Sequence, residues 1–188
     1  KTPLLNAIAH AGDADYLSPV QPAYRVDYCI EGAYIPQRIS LDPELTLLQS
    51  VQRANPGVSE QHLRDQLARL LFRRESVHRK TGDLSGGERF RAAVAQVLLA
   101  DRVPQLLMLD EPSMGLAPLV IAEVFQVIKK VNEMGITVLL VEQNAKQALK
   151  ISDRAYLMNT GKIVVAGTGD DFLKGDVLTS VYLGGKKE

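Results

Sequence analysis

The sequence has 188 residues, 46% of them hydrophobic, which is typical of one globular domain with a buried core. Lysine plus arginine and aspartate plus glutamate number 22 each, so no net charge favours nucleic acid or an anionic membrane surface as a partner. The single cysteine, Cys29, predicts no internal disulfide, and no Cys/His cluster has metal-ligand spacing. No apolar run approaches the roughly 20 residues of a membrane span. Any membrane role is therefore expected to come through a partner.

The first predicted elements are a helix over residues 4–9 and one or two short strands within residues 24–35. Lys1 and Thr2 stand at the mouth of the helix and match the last two positions of the phosphate-loop pattern. In that pattern the lysine contacts the β- and γ-phosphates and the hydroxyl binds magnesium. Alone the match is weak, because Lys-Thr at a chain start is usually a solvated terminus.

Residues 41–100 are predicted to form a helical insertion between strands. Ser59 is the expected N-cap of one of its helices, whose apolar stripe consists of Leu63, Leu67, Leu70 and Leu71. Ser85 and Glu88 have capping-box spacing, so a further helix is expected to begin just after Ser85.

Residues 106–141 are predicted to form a βαβ unit. Residues 106–109 are wholly apolar, which indicates a strand buried on both faces as in a parallel sheet. Pro118 opens a helix that Gly135 ends, and residues 136–141 form a second buried strand. A hairpin with its turn at 159–162 and short terminal helices complete the chain.

The segment Ser85-Gly86-Gly87 combines a hydroxyl, two glycines and the free N–H groups of a helix start. Such a segment forms an anion cradle, and the glycines would admit a phosphate that a Cβ would block. The alternative is a Ser-Gly-Gly linker with an ordinary helix cap, which would be favoured if the segment stood alone.

Asp110 and Glu111 follow the buried strand directly, so both carboxylates are expected at its carboxyl end, where open α/β sheets bind ligands. We expect Asp110 to hold magnesium through water and Glu111 to orient or deprotonate the attacking water in phosphoryl transfer. The alternative is a solvated acidic turn.

Two glutamines complete the candidate site. Gln37 follows a strand and a proline and could reach magnesium or the attacking water, although alone it fits an ordinary polar loop. Gln143 follows the strand at 136–141 and could hydrogen-bond a γ-phosphate. Its amide cannot relay a proton, so we expect it to act in the catalytic site as a sensor. No chemical role is predicted for His10, His62 or His78.

Taken in order, these motifs resemble the ABC ATPase family across nearly the whole chain: Lys1-Thr2, Gln37, LSGGE at 84–88, LLMLDEP at 106–112 and Gln143. The resemblance implies an α/β P-loop NTPase fold over residues 1–188, with a mostly parallel sheet and a helical subdomain at about 41–100. It also implies an N-terminal truncation, because the glycine loop and strands that precede the lysine in this family would be missing. ATP and Mg²⁺ are the implied cofactors.

The resemblance further implies a head-to-tail pair of cassettes, as a homo- or heterodimer, in which Ser85 and Gly87 contact the partner's nucleotide. The segments at 110–118 and 139–144 resemble ATP-binding subunits of branched-chain amino-acid importers, which implies permease partners and a place on the cytoplasmic face of the membrane. Residues 34–37 and the region up to LSGGERFRAA resemble soluble ABC-F ATPases instead, which act on the ribosome. A chimera, or a non-catalytic fragment that pairs with intact cassettes, remains a third interpretation.

Overall fold

The computed structural model describes residues 32–72, 74–100 and 103–174. It divides the chain into two compact units, one up to Val141 and one from Glu142. Lys1, Thr2, the helix predicted at 4–9 and any strand before residue 32 lie outside the described residues. The single domain predicted over 1–188 stays a prediction.

The first unit contains a three-stranded parallel sheet in the order β1-β2-β3. Its strands are β1 (Gly32–Ile35), β2 (Leu106–Asp110) and β3 (Thr137–Val141). Parallel neighbours need long crossovers. Two helices, α1 (Leu47–Ala54) and α2 (Glu60–Arg69), two short 3₁₀ turns (Arg74–His78 and Thr81–Asp83) and α3 (Gly86–Leu98) connect β1 to β2, and α4 (Pro118–Glu133) connects β2 to β3.

The central strand β2 is buried as predicted, with Leu107, Met108 and Leu109 all at 0% exposure. The prediction that the next strand is also fully buried is wrong, because β3 alternates exposed and half-buried residues. The reason is its position: among the described residues, β3 pairs with β2 along one edge only.

The helical insertion forms where it was predicted. Ser59 caps α2, and Leu63, Leu67 and Leu70 are buried. The inclusion of Leu71 in the stripe is wrong, since this residue is 42% exposed and has a φ of +66°. The helix ends at its C-cap, Leu70, so Leu71 leaves the helical register.

The predicted helix of the βαβ unit is α4, with Pro118 in its first turn. Its valine side chains at 124, 127 and 131 are buried. Gly135 follows the C-cap with a φ of +90°, a conformation that a side chain would strain. The helix therefore begins and ends as its sequence predicts.

The second unit contains the predicted hairpin of β4 (Ala155–Asn159) and β5 (Lys162–Gly167). Thr160 and Gly161 form its turn with φ values of +47° and +78°, and two positive φ angles are what a type I′ hairpin turn requires. Two short helices, α5 (Ala145–Leu149) and α6 (Gly169–Lys174), contact each other. Within the described part of the chain, no helix combines the length and hydropathy needed to cross a membrane.

Candidate functional site at the carboxyl ends of the strands

Gln37 and Glu111 meet at one edge of the parallel sheet. Gln37 follows β1 and Glu111 follows β2, and the side-chain amide Nε2 of Gln37 donates a hydrogen bond to Glu111 Oε2 at 3.2 Å. The same amide also contacts the sulfur of Met114. Parallel neighbours bring their carboxyl ends together, so the sheet topology itself joins residues 74 positions apart.

Asp110 is the buried member of this site, with 1% of its surface exposed. Tyr34 Oη donates to its Oδ2 at 3.2 Å, whereas no described residue hydrogen-bonds its buried Oδ1. A buried carboxylate oxygen without a partner is costly, and oxygen atoms of this kind are the ligands that magnesium prefers. Asp110 therefore fits a magnesium site, directly or through water.

The described residues do not form a multi-ligand metal site. Within residues 32–72, 74–100 and 103–174, no group of three or more His, Cys, Asp or Glu side chains converges. Magnesium at nucleotide sites uses one or two carboxylates, with phosphate oxygens and water completing the shell. A single buried carboxylate such as Asp110 is compatible with that pattern.

The backbone of Glu111 lies in the left-handed region, with a φ of +47°. Its N–H donates to Val141 O at 2.8 Å and its carbonyl accepts from Met114 N at 3.0 Å, so hydrogen bonds on both sides hold this conformation. A side chain in this region costs on the order of 1–2 kcal/mol. Strain of this kind is concentrated at functional sites.

The predicted anion cradle lies at the start of α3. Ser85 is the N-cap, and its hydroxyl accepts from Glu88 N at 3.3 Å and donates to Glu88 Oε2 at 2.8 Å. Arg79 in turn donates to Glu88 Oε1 at 2.7 Å. Burial raises the pKa of the Glu88 carboxyl, but the hydrogen bonds from Ser85 and the charge of Arg79 lower it more, so this pKa lies below its ordinary value.

Close packing also explains why glycine occupies positions 86 and 87, and sequence reasoning missed this explanation. A Cβ added to Gly86 would overlap Leu116 Cδ2, and one added to Gly87 would overlap Val120 Cγ1. The sequence predicted glycine here because of phosphate approach. The structure supplies packing against the chain's own residues as a second cause.

Gln143, Lys1 and Thr2 are the remaining predicted site residues. Gln143 belongs to the second unit, where it is exposed and its backbone N–H donates to Glu142 Oε2 at 3.1 Å. Lys1 and Thr2 lie outside the described residues. Tyr34 and Met114 are contacts that sequence reasoning missed, because neither belongs to a local pattern that points to the acidic residues.

The parallel sheet, with carboxylates after its central strand and a helical insertion before it, has the fold of the ATP-binding cassettes. A family model described as ABC transporter matches residues 1–114, more than half of the chain. The chain therefore belongs to the ABC transporter family.

Curated relatives include ATP-binding proteins of branched-chain amino acid transport and of lipopolysaccharide export. The branched-chain amino acid transport protein BraG of Pseudomonas aeruginosa is 45% identical over 112 residues, which is 60% of this chain and 47% of BraG. The probable branched-chain amino acid transport protein LivF of Archaeoglobus fulgidus is 34% identical over 81% of this chain and 66% of LivF. LptB of the lipopolysaccharide export system of Escherichia coli K12 is 30% identical over 80% of this chain and 64% of LptB. The chain thus spans about half to two thirds of these relatives.

Solved structures support the same fold. A dimeric post-hydrolysis state of the ATP-binding cassette MJ0796, bound to ADP and phosphate, matches with a TM-score of 0.60 at 23% identity, over 73% of this chain and 62% of that chain. A putative metal-chelate type ABC transporter matches with a TM-score of 0.74 at 17% identity, over 97% of this chain and 72% of that chain.

Proposed function

We propose that the protein is the ATP-hydrolysing subunit of an ABC transporter. One observation carries the proposal: Gln37 and Glu111 are hydrogen-bonded at the carboxyl ends of neighbouring strands, directly beside the buried Asp110, whose Oδ1 accepts no hydrogen bond from the described residues. The combination provides a cation ligand, a base and an amide at the edge where α/β sheets bind nucleotides. Membership of the ABC transporter family supports the assignment of ATP.

Each residue has a distinct role in this proposal. Asp110 would hold Mg²⁺ through Oδ1, directly or through water, and Glu111 would accept a proton from the attacking water or orient it. Gln37 holds the Glu111 carboxylate and can reach the same water. Magnesium held by Asp110 would supply charge neutralisation for the phosphates of ATP. Lys1 and Thr2 would contact those phosphates and the cation.

The start of α3 serves a second nucleotide. Ser85, Gly86 and Gly87 would close the ATP held by another cassette in a head-to-tail pair, of the same or a different chain. The N–H groups of Gly86 and Gly87 belong to the first turn of α3, where helices have no internal acceptors and favour anions. Gln143 would act as the γ-phosphate sensor.

The transported substrate is proposed to be branched-chain amino acids, taken up through permease subunits at the cytoplasmic face of the membrane. BraG and LivF carry this assignment in their names, and BraG has the higher identity of the relatives described above. Lipopolysaccharide export is the second candidate, because LptB is 30% identical over 80% of this chain.

The deciding experiment measures ATP turnover by the whole protein and by its Glu111→Gln variant. We expect the unsubstituted protein to release phosphate and the variant to bind ATP while its turnover falls by about 10²- to 10⁴-fold. Glu133→Gln, a carboxylate removed at the far end of α4, is the matched control. Equal turnover in Glu111→Gln and the unsubstituted protein would refute the assignment of the base.

The substrate is tested in cells that lack the gene. Loss of labelled leucine uptake with intact lipopolysaccharide export supports the importer. The reverse pattern would replace it with the exporter.

A further inference from the structure

The start of α3 rests on the start of α4 through two glycines. A Cβ on Gly87 would overlap Val120 Cγ1, with Val124 Cγ2 at 4.0 Å behind it, and a Cβ on Gly86 would overlap Leu116 Cδ2. Neither glycine has a positive φ, so their backbones suit any residue. Space, and not conformation, requires glycine at these two positions.

The two contacts differ in stiffness. Val120 lies in the first turn of α4, and a β-branched side chain in a helix has one strongly preferred rotamer. Leu116 lies in the loop before α4, where its side chain can rotate more freely. Gly87 is buried whereas Gly86 is exposed. The contact between Gly87 and Val120 is therefore expected to be the stiffer of the two.

A short, tightly turned loop joins this contact to the proposed base. Met114 N donates to Glu111 O at 3.0 Å, Leu116 N to Ser113 O at 3.3 Å and Val120 N to the carbonyl of residue 117 at 2.9 Å. The side chain of Ser113 is buried, with 6% exposed. These turns form a short chain connection through which a shift at Val120 can reach Glu111.

A second tie lies along the same pair of helices. Arg91 of α3 forms an ion pair with Glu123 of α4 at 3.8 Å, and the Arg91 side chain is 12% exposed. Its guanidinium also stacks over the Phe72 ring, 5.0 Å from the centroid. Together with the glycine contacts, this ion pair limits rotation of α3 on α4.

We propose that Val120, through its contact with Gly87, is a positioning residue that couples the start of α3 to the loop carrying Glu111. Leu116, through its contact with Gly86, contributes to a lesser degree. Given the proposed function, closure of α3 on a partner's nucleotide then sets the orientation of the base on this chain's own nucleotide. One packing contact links the two halves of the site within one subunit.

Enlarging residue 87 while shortening residue 120 distinguishes this packing role from a need for glycine to admit a phosphate. If Gly87 is needed only to admit a phosphate, Gly87→Ala stays defective whatever residue 120 is. If the contact with Val120 matters, Val120→Ala removes the atom that the new methyl would overlap. The variants are Gly87→Ala, Val120→Ala, their double variant and Gly86→Ala. Gly87→Ala with Ile121→Ala serves as the control, since Ile121 is adjacent to Val120 but is not a contact of Gly87.

In the whole protein we expect Gly87→Ala to lower the Tm by about 2–10 °C, as overpacking does. The direction is diagnostic, because a Gly→Ala change in an open helical position stabilises. We expect its kcat for ATP to fall by about 10- to 100-fold with KM unchanged. Gly87→Ala combined with Val120→Ala should regain both Tm and kcat, whereas Gly87→Ala combined with Ile121→Ala should regain neither. Gly86→Ala should lower Tm and kcat less than Gly87→Ala does.

Three results would overturn the coupling. One is a Gly87→Ala variant more stable than the unsubstituted protein, and another is a double variant that regains neither Tm nor kcat. The third is a double variant that regains Tm while kcat stays low, which would show that the contact stabilises the fold without positioning the base. No turnover in the unsubstituted protein would instead refute the proposed function, and the Tm pattern would still decide whether the packing contact exists.

Discussion

Gln37 donates a hydrogen bond to Glu111 across 3.2 Å and so joins the loop after β1 to the end of β2. We expect Gln37→Ala to lower kcat for ATP by about tenfold, which corresponds to roughly 1.4 kcal/mol of lost orientation at the base. The matched control is Gln52→Ala, which removes an amide that bonds Val58 O, away from the sheet edge. An equal loss in both variants would show that the Gln37 contact has no specific role.

Tyr34 donates a hydrogen bond to the buried side chain of Asp110 at 3.2 Å. Tyr34→Phe leaves the buried carboxylate without that bond, so we expect the free energy of unfolding to fall by about 1–3 kcal/mol. Tyr156→Phe is the control, because this tyrosine is 52% exposed on the hairpin. Urea unfolding measures both variants, and a Tyr34→Phe protein as stable as the control would contradict the role of this bond.

The lowered pKa of Glu88 predicts that the free energy of unfolding falls at acid pH. Its pKa is lower in the folded protein than its ordinary value, so its contribution is present above the ordinary pKa and is lost as pH falls through the folded value. We expect the free energy of unfolding to decline below about pH 4.5 less steeply in Glu88→Gln than in the unsubstituted protein. Urea titrations across this range test it, with Glu75→Gln as the exposed control, and parallel curves would refute it.

Two residues with left-handed backbone conformations allow the effect of strain on stability to be separated from its effect on activity. Leu71 and Glu111 have φ values of +66° and +47°. We expect glycine at either position to raise the free energy of unfolding by about 0.5–1 kcal/mol, the relief of the left-handed conformation minus the entropy cost of glycine. Leu71→Gly should keep its turnover whereas Glu111→Gly should lose it. Destabilisation by both variants would mean that neither backbone is strained.

Local patterns predicted local structure well. The capping box of Ser85 and Glu88 and the turn at Thr160 and Gly161 depend on neighbouring residues, and both formed as predicted. The apolar run of β2 likewise predicted its burial. Each of these features is determined within a few residues of sequence.

Contacts between distant segments were not predictable in the same way. Tyr34 and Asp110 are 76 residues apart, and their hydrogen bond depends on the pairing of β1 with β2. Whether Leu71 extends the stripe of α2 depends on where the helix ends, which periodicity alone does not determine. The glycines at 86 and 87 were predicted as a cradle, but the side chains against them are Leu116, in the loop before α4, and Val120, in its first turn.

If Asp110 holds a cation as proposed, through the buried Oδ1 that no described residue hydrogen-bonds, folding depends on cation concentration. A cation that binds the folded chain and not the unfolded one stabilises it by RT ln(1 + [L]/Kd), about 2.7 kcal/mol at a hundredfold excess over Kd. Chelation should therefore lower the Tm of the whole protein, whereas Asp110→Asn should remove most of that sensitivity. The Tm of the whole protein would thus depend on the concentration of free magnesium through the same carboxylate that is proposed to bind the cation at the nucleotide site.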